Sequence, residues 1–573
     1  MRPKIMHNTD DSNVVGWGVL RSMATMNVLL DSIENTAATA PDAPAFRSAE
    51  ESATTYSQMW HNACAIARGL ASVPGHGPVL VLGPKHALTV ECLLACLMSG
   101  HAYVPLDVEL PPKRFTDIAC QISGATLLAA CDVPDALAGV LSGADVLDAR
   151  ELLAAHTTAE PLPREMWVTG EQTQYIIFTS GSTGRPKGIE VTENDVANFR
   201  RWLADFPIVR EGGRVFLDQA HYSFDLSEFE LVGALTTGGC LHAVDASELA
   251  DYRRLFADLG NSGIEVWVST PSFADACLAD PSFSATLLPH LRLFLFCGEA
   301  LHHTTAAKLR ERFPGAIVAN TYGPTESTVA VTYCEVTDEM LADPAPLPVG
   351  RPRQGTELAI VDHAAGAPVA PGQTGEVIIR GDTVALDYYE NPEKTAEAFF
   401  ETSLADGTKT RGYRTGDLGF IDEDGLLHVQ GRLDSLVKLN GFRIELGEVE
   451  GALEEIPRVR HAVVVPATRA GRVTSLCAFV VVGPDAATGP DATVGPAVAA
   501  GQDATGQDAT GASATRPGTA NVDAFATARS LKAELAMSLP AYMVPRQIRI
   551  LDEMPLNANG KADRKALAAR VSR

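Results

Sequence analysis

The sequence predicts a mixed α/β fold with largely parallel sheets, divided into more than one domain. Short β-like runs alternate with helix-length stretches: Val79-Leu80-Val81-Leu82, Tyr175-Ile176-Ile177-Phe178, Val266-Trp267-Val268 and Leu293-Phe294-Leu295-Phe296. Strands that are apolar on both faces belong to sheets covered by helices on both sides. At 573 residues the chain exceeds what one core serves. An apolar fraction of 46% with 20% charged residues is that of a globular chain, not a disordered one.

Residues 1–25 mix polar and apolar types without periodicity and read as a disordered leader; regular patterning begins at the amphipathic run Val28-Leu29-Leu30-Asp31-Ser32-Ile33. Residues 483–521 form a low-complexity insertion in which Gly501-Gln502-Asp503-Ala504-Thr505 recurs at once as Gly506-Gln507-Asp508-Ala509-Thr510. So little apolar surface cannot offset the entropy of ordering, so the insertion reads as disordered and dispensable. It interrupts a smaller C-terminal unit that begins near residue 437 and whose last helix-like piece covers 524–539.

A formal charge of -25 argues against nucleic acid as the main partner, since phosphate neutralisation needs clustered Lys and Arg. Ten cysteines are scattered without CxxC or zinc-like spacing, and several lie in apolar runs, which predicts reduced thiols packed in cores. No stretch of about 18 apolar residues exists to span a bilayer, and no signal peptide is visible. These features predict a cytoplasmic protein without membrane insertion.

The most informative segment is an apolar strand leading into Thr179-Ser180-Gly181-Ser182-Thr183-Gly184-Arg185-Pro186-Lys187-Gly188. Hydroxyls, glycines and one lysine in a strand-exit loop are what a polyphosphate needs: backbone N–H groups free to turn inward, side-chain donors and a cation. Lys187 is followed by Gly, so the GxxxxGK[ST] spacing is absent.

This loop resembles the phosphate loop of the adenylate-forming superfamily, and further motifs of that family follow in order: Tyr103-Val104-Pro105-Leu106-Asp107 ahead of it, then Asn320-Thr321-Tyr322-Gly323-Pro324-Thr325-Glu326, Tyr413-Arg414-Thr415-Gly416-Asp417-Leu418, Gly431-Arg432-Leu433-Asp434 and Asn559-Gly560-Lys561. The resemblance covers about residues 26–570 apart from the insertion. It implies a large N-terminal adenylating domain with mixed sheets over 26–433, a hinge at 434–436, and a small α+β lid domain over 437–571. After Asp434 the chain has Ser435-Leu436 where the family usually has an aromatic or Asp and then Gln.

By the same resemblance ATP and Mg2+ are the cofactors. Thr179, Ser180, Thr183 and Lys187 serve the phosphates, and Asn320, Thr321, Tyr322, Gly323, Pro324 and Thr325 the nucleotide, with Tyr322 able to offer adenine a stacking face. Glu326 is the Mg2+ ligand, a hard oxygen donor of the kind that ion prefers. Asp417 accepts from the ribose hydroxyls with Arg432 beside it. Lys561 bridges the substrate carboxylate and the α-phosphate as charge develops.

Asp225, in Phe224-Asp225-Leu226-Ser227, matches the aspartate that holds the α-amino group in amino-acid-activating members; the alternative is a helix cap, because Asp-Leu-Ser-Glu is also a good helix start. Ser269-Thr270-Pro271-Ser272-Phe273 and Phe294-Leu295-Phe296-Cys297-Gly298-Glu299 resemble the branch that activates D-alanine for a carrier protein in teichoic acid D-alanylation, with Cys297 and Val329 at side-chain-contacting positions. The partner implied is a separate phosphopantetheinylated carrier protein, with basic residues such as Arg458, Arg460, Arg469 and Arg472 as candidate docking contacts. Two other readings stay open at this point: an adenylating enzyme for another small amino acid in peptide synthesis, and a non-catalytic nucleotide-binding relative.

Overall fold

The computed structural model describes residues 26–571 except 73, 74, 76, 123, 138–144, 158, 159, 182–184, 344, 434, 435, 470, 471, 484–518 and 556–561. The leader, most of the insertion, Thr183, Asp434 and Lys561 lie outside the described residues.

The apolar runs form the strands Val79–Leu82, Thr173–Thr179, Val266–Ser269 and Leu293–Phe296. They sit in two large sheets. One has nine strands, whose inner members Ile317–Tyr322, Leu293–Phe296, Val266–Ser269, Val215–Asp218, Cys240–Ala243 and Pro44–Ser48 run parallel, with antiparallel strands at both margins. The other has seven strands, parallel through Asp145–Asp148, Thr126–Ala129, Val79–Leu82, Tyr103–Leu106 and Thr173–Thr179.

One continuous core joins the sheets. Leu30, Ile33, Tyr56, Ile66, Leu94, Phe199, Phe229 and Val232 pack from helices between Val79, Val81 and Tyr103 of one sheet and Phe216, Leu241 and Leu293 of the other. These helices are therefore buried on most sides; Ser227–Leu235 is enclosed along its whole length. A second core forms on the other face of the nine-stranded sheet, where Trp267 stacks on Phe273 and meets Phe283 edge-on.

Beyond these sheets lies an antiparallel sheet of Thr356–Val361, Gly375–Gly381, Lys409–Ile421 and Phe399–Ser403, with Leu427–Arg432 paired to the long strand. Gly350 links this region to the nine-stranded sheet by a bridge to Leu427. Its φ is 103° and a Cβ there would stand 2.0 Å from the Tyr333 carbonyl oxygen, so only glycine fits.

The smaller C-terminal part has its own core, built from Ile444, Val449, Leu453, Val464, Ala478, Leu531, Leu535 and Met543. It comprises the hairpin of Leu436–Leu439 and Phe442–Glu445, the helix Leu446–Glu454, and a sheet of Val459–Arg469, Arg472–Val482 and Gln547–Leu551. The helix expected over 524–539 runs as Thr519–Leu535 and stops in a turn before Pro540, which disfavours helical backbone at the residue preceding it. None of the ten cysteines is in a disulfide. Among the described residues no helix is long and apolar enough to cross a membrane.

Gly350→Ala is expected to destabilise the fold by about 2–4 kcal/mol through backbone strain at a tight junction, read as a thermal midpoint lower by several degrees. An unchanged midpoint would mean that this junction adapts freely.

Candidate functional site

The segment expected to hold phosphates is flanked by two paired strands. Thr173–Thr179 pairs antiparallel with Lys187–Thr192, and the register puts Thr179 opposite Lys187, so both residues face the same mouth. Gly181 lies so close to the chain that a Cβ would stand 2.2 Å from the Arg185 carbonyl oxygen. Thr192 then caps the helix Glu193–Leu203 in a reciprocal box with Asp195, which anchors the hairpin's far end. The Thr179 hydroxyl is buried without a hydrogen-bond partner among the described residues, and the Ser180 hydroxyl donates to the Arg443 carbonyl oxygen at 2.6 Å.

Glu326 is the centre of charge. It is fully buried, and its carboxylate accepts from Lys187 Nζ at 3.1 Å, Tyr388 Oη at 2.8 Å and Arg443 Nη1 at 3.0 and 2.8 Å. Burial alone would raise its pKa, but Arg443 and Lys187 outweigh burial and hold the carboxyl well below the usual carboxylate range. Burial, reinforced by the charge of Arg443, lowers Lys187 to about 8. Tyr388 also lies under the Lys187 ammonium, 4.5 Å from ring centre to nitrogen.

Asn320, Thr321 and Tyr322 end a central parallel strand, and the next residues form a 3-10 turn, Thr325–Ser327, that presents Glu326. Gly323 is obligatory, since a Cβ would stand 2.5 Å from the Ala330 Cα. The Tyr322 hydroxyl donates to Asp417 at 2.5 Å, and Asp417 lies opposite Arg432 across paired strands with their side chains ion-paired. Asn320 donates to the Pro348 carbonyl oxygen at 2.8 Å while its own side-chain oxygen is buried without a partner, and Thr321 donates to the Phe296 carbonyl oxygen at 2.8 Å. These residues line a cavity of about 670 Å3 together with Gly298, Gly431 and Lys438.

A second chamber of about 40 Å3 adjoins it, sharing Gly298, Gly323, Asp417, Arg432 and Lys438 as walls. Its own lining includes Asp225, Cys297, Thr325 and Val329. Asp225 is 6% exposed. The helix that follows it starts at Ser227 with no side-chain cap, so the helix-cap alternative finds no support. Burial raises Asp225 to about 6, although a hydrogen bond with Thr325 opposes the rise. The Cys297 thiol is likewise raised by burial and lies 3.7 Å from the Val329 carbonyl oxygen, so it acts here as a small wall and not as a thiolate.

Residues 438–443, from the C-terminal hairpin, stand in this site. Arg443 reaches Glu326, the Gly441 N–H donates to Glu299 at 2.9 Å, and Lys438 walls both cavities. Further out, Arg114 pairs with Glu448 at 2.5 Å and Arg472 pairs with Asp275. Arg458 is paired with Glu534 inside the C-terminal part.

The structure thus sets Asp225, Cys297, Asn320, Thr321, Tyr322, Gly323, Pro324, Thr325, Val329, Asp417 and Arg432 around two adjoining cavities, and Ser180, Glu326, Lys187 and Thr179 join them through Arg443 and the hairpin. Thr183 and Lys561 lie outside the described residues. Sequence reading missed Tyr388, which stands 62 positions from Glu326 in a segment without a recognisable motif.

The AMP-binding enzyme family model matches residues 33–389. A D-alanine--D-alanyl carrier protein ligase from Bacillus licheniformis is 38% identical over 552 residues, spanning 95% of this chain and 99% of that protein, and one from Bacillus cereus is 38% identical over 554 residues with the same coverage. Among solved structures, holo-PA1221, a nonribosomal peptide synthetase protein with adenylation and carrier domains bound to a vinylsulfonamide inhibitor, superposes with a TM-score of 0.76 at 27% identity, over 96% of this chain and 85% of that one. The Vibrio cholerae adenylation domain AlmE, in complex with glycyl-adenosine-5'-phosphate, shares the fold at 22% identity with a TM-score of 0.74, over 99% of both chains. On the family match over residues 33–389 and the 38% identity over nearly the whole chain, the chain belongs to the AMP-binding enzyme family of adenylate-forming ligases.

Proposed function

We propose that the chain activates D-alanine as its acyl-adenylate with Mg-ATP and passes it to the phosphopantetheine thiol of a separate carrier protein, in the cytoplasm, to supply D-alanine for teichoic acids. One observation carries the reading: an ionisable carboxylate, Asp225, is buried in a chamber of about 40 Å3 that opens onto the nucleotide cavity. A water needs about 10–15 Å3 of such volume, so the chamber suits a substrate whose side chain is no more than a few atoms. The 38% identity to D-alanine--D-alanyl carrier protein ligases supports the same choice.

On this reading the substrate ammonium pairs with Asp225 and its side chain meets Cys297 and Val329. Asp417 receives the ribose hydroxyls, with Arg432 and Tyr322 fixing the carboxylate's direction. Thr179, Ser180, Thr183 and Lys187 take the phosphates. A Mg2+ ion fits the donor chemistry of Glu326, a buried carboxylate held ionised by neighbouring cations, because that ion needs only one or two carboxylates beside phosphate oxygens and water. When bound it neutralises charge on the leaving pyrophosphate. A carboxylate oxygen of the amino acid attacks the α-phosphorus as the bond to pyrophosphate breaks, and Lys561 offsets the charge that builds between them. The carrier thiolate then attacks the acyl carbon, forming the thioester and releasing AMP. No enzyme nucleophile is required; the work is positioning.

We assign residues 26–433 to the adenylating part, 434–436 to the hinge and 437–571 to a part that changes orientation between the two steps. The presence of residues 438–443 at the cavities supports the orientation of the second, thioester-forming step.

Amino-acid-dependent exchange of labelled pyrophosphate into ATP, run with D-Ala, L-Ala, Gly and Ser, is expected to be fastest with D-Ala; equal rates with L-Ala would sink the choice of enantiomer. Because Asp225 must be ionised to hold an ammonium and its pKa is about 6, the KM for the amino acid should rise about tenfold per unit as pH falls below that value. Asp225→Asn should show a raised KM at neutral pH and no such dependence, and a variant that kept the wild-type profile would remove Asp225 from the ammonium site. Arg443→Ala should cost about 1.5–3 kcal/mol of the docking free energy of the C-terminal part, a loss of charge-assisted hydrogen bonds. Small-angle scattering of the free enzyme would report this as a more extended particle, and an unchanged profile would count against the orientation assigned here.

A further inference from the structure

The turn after Thr325–Ser327 holds two successive β-branched residues in left-handed backbone, Thr328 at φ 55° and Val329 at φ 69°. Branching at Cβ makes that region costly, and residues kept there persist only where their surroundings over-determine them. The surroundings do so. The Thr328 hydroxyl donates to the Thr383 carbonyl oxygen at 2.8 Å, and the Ala330 N–H donates to the Thr328 carbonyl oxygen at 2.8 Å. The Val331 N–H donates to the Tyr322 carbonyl oxygen at 2.7 Å, and the Ala385 N–H to the Glu326 carbonyl oxygen at 2.9 Å. Thr328 and Ala330 are fully buried and Val329 is 2% exposed.

A glycine would adopt this backbone without strain. Yet the chain carries Thr and Val, and the outcome is that Val329 lines the 40 Å3 chamber together with Asp225, with the Cys297 thiol held against the Val329 carbonyl. Thr328 does not line the chamber; it reaches it only through the turn.

We propose that the left-handed turn at Thr328 and Val329, pinned by the Thr328 hydroxyl to Thr383, sets the size limit of the amino-acid chamber at a methyl side chain, with Thr328 as a positioning residue for specificity. The proposal rests on the reading of this chamber as the amino-acid seat. The pin fixes how far Val329 projects, and a turn free to relax would let the wall retreat by the fraction of an ångström that one more methylene needs. An apolar wall separates substrates differing by one methylene by roughly 10–200-fold, so the effect is measurable.

The test is pyrophosphate exchange with D-alanine and D-2-aminobutyrate, compared as kcat/KM ratios, with the KM for ATP followed in parallel. Thr328→Val keeps the shape and branching and deletes the hydroxyl; the preference for alanine is expected to fall about tenfold or more within that range, with the KM for ATP unmoved. Val329→Gly relieves the backbone and removes the wall; 2-aminobutyrate should gain on alanine while the thermal midpoint holds or rises, which keeps the test informative if Thr328→Val folds poorly. If both variants keep the wild-type ratio, the proposal is wrong although the function stands. If the wild type shows no exchange with any amino acid, the function itself falls and the specificity device with it.

Discussion

The site depends on one buried carboxylate being kept ionised. Glu326 has no access to solvent, and an ionised group so placed is tenable only with opposite charge and hydrogen bonds in contact with it. It receives them from three distant points of the chain: Lys187 from the phosphate-loop hairpin, Tyr388 from the short strand that extends the same sheet, and Arg443 from the C-terminal hairpin. The arrangement of both large sheets, the 3-10 turn and the left-handed turn behind it can be read as the scaffold that brings these groups to one point.

That hub also orders the two cavities. Gly323 and the turn after it let the central strand end abruptly, and Gly323 lines both cavities there. Asp417 is a wall of both cavities, whereas Asp225 lines only the small chamber. Asp417 is fixed by Tyr322 and Arg432, whereas the Asp225 carboxyl is raised to about 6 by burial.

Much of this was legible in the residues. Continuous apolar runs named the inner strands, because a parallel strand covered on both faces has no polar side to show. Thr179-Ser180-Gly181 and Lys187 read as a loop suited to anions, and the strands on either side of it pair so that Thr179 stands opposite Lys187. What could not be read is whatever depends on distance in sequence or on rare backbone. Tyr388 carries no local signal, since its role comes from a partner 62 positions away. Thr328 and Val329 argue locally against the conformation they adopt, because β-branched residues are the last a reader would place in left-handed backbone. The end of the helix before Pro540 shifted from expectation because a turn, and not apolar periodicity, decides where a helix stops.

The boundary between the large part and the C-terminal part is largely polar. The polar contacts across it include Arg443 with Glu326, Arg114 with Glu448, Lys113 with Glu455, Arg472 with Asp275, the Ser180 hydroxyl with the Arg443 carbonyl oxygen and the Gly441 N–H with Glu299, while Phe442 packs beside Phe224. A boundary made of packed leucines would cost heavily to open, at about 25 cal/mol for each Å2 of apolar surface exposed to water. Ion pairs and hydrogen bonds instead exchange partners with water, and their net worth is small because desolvation opposes attraction. Most of the apolar material of the C-terminal part is kept inside its own core, around Val449, Leu453, Leu531 and Leu535. On the change of orientation proposed above, such a surface would hold its geometry when closed and cost little to part, as two successive steps at one site require.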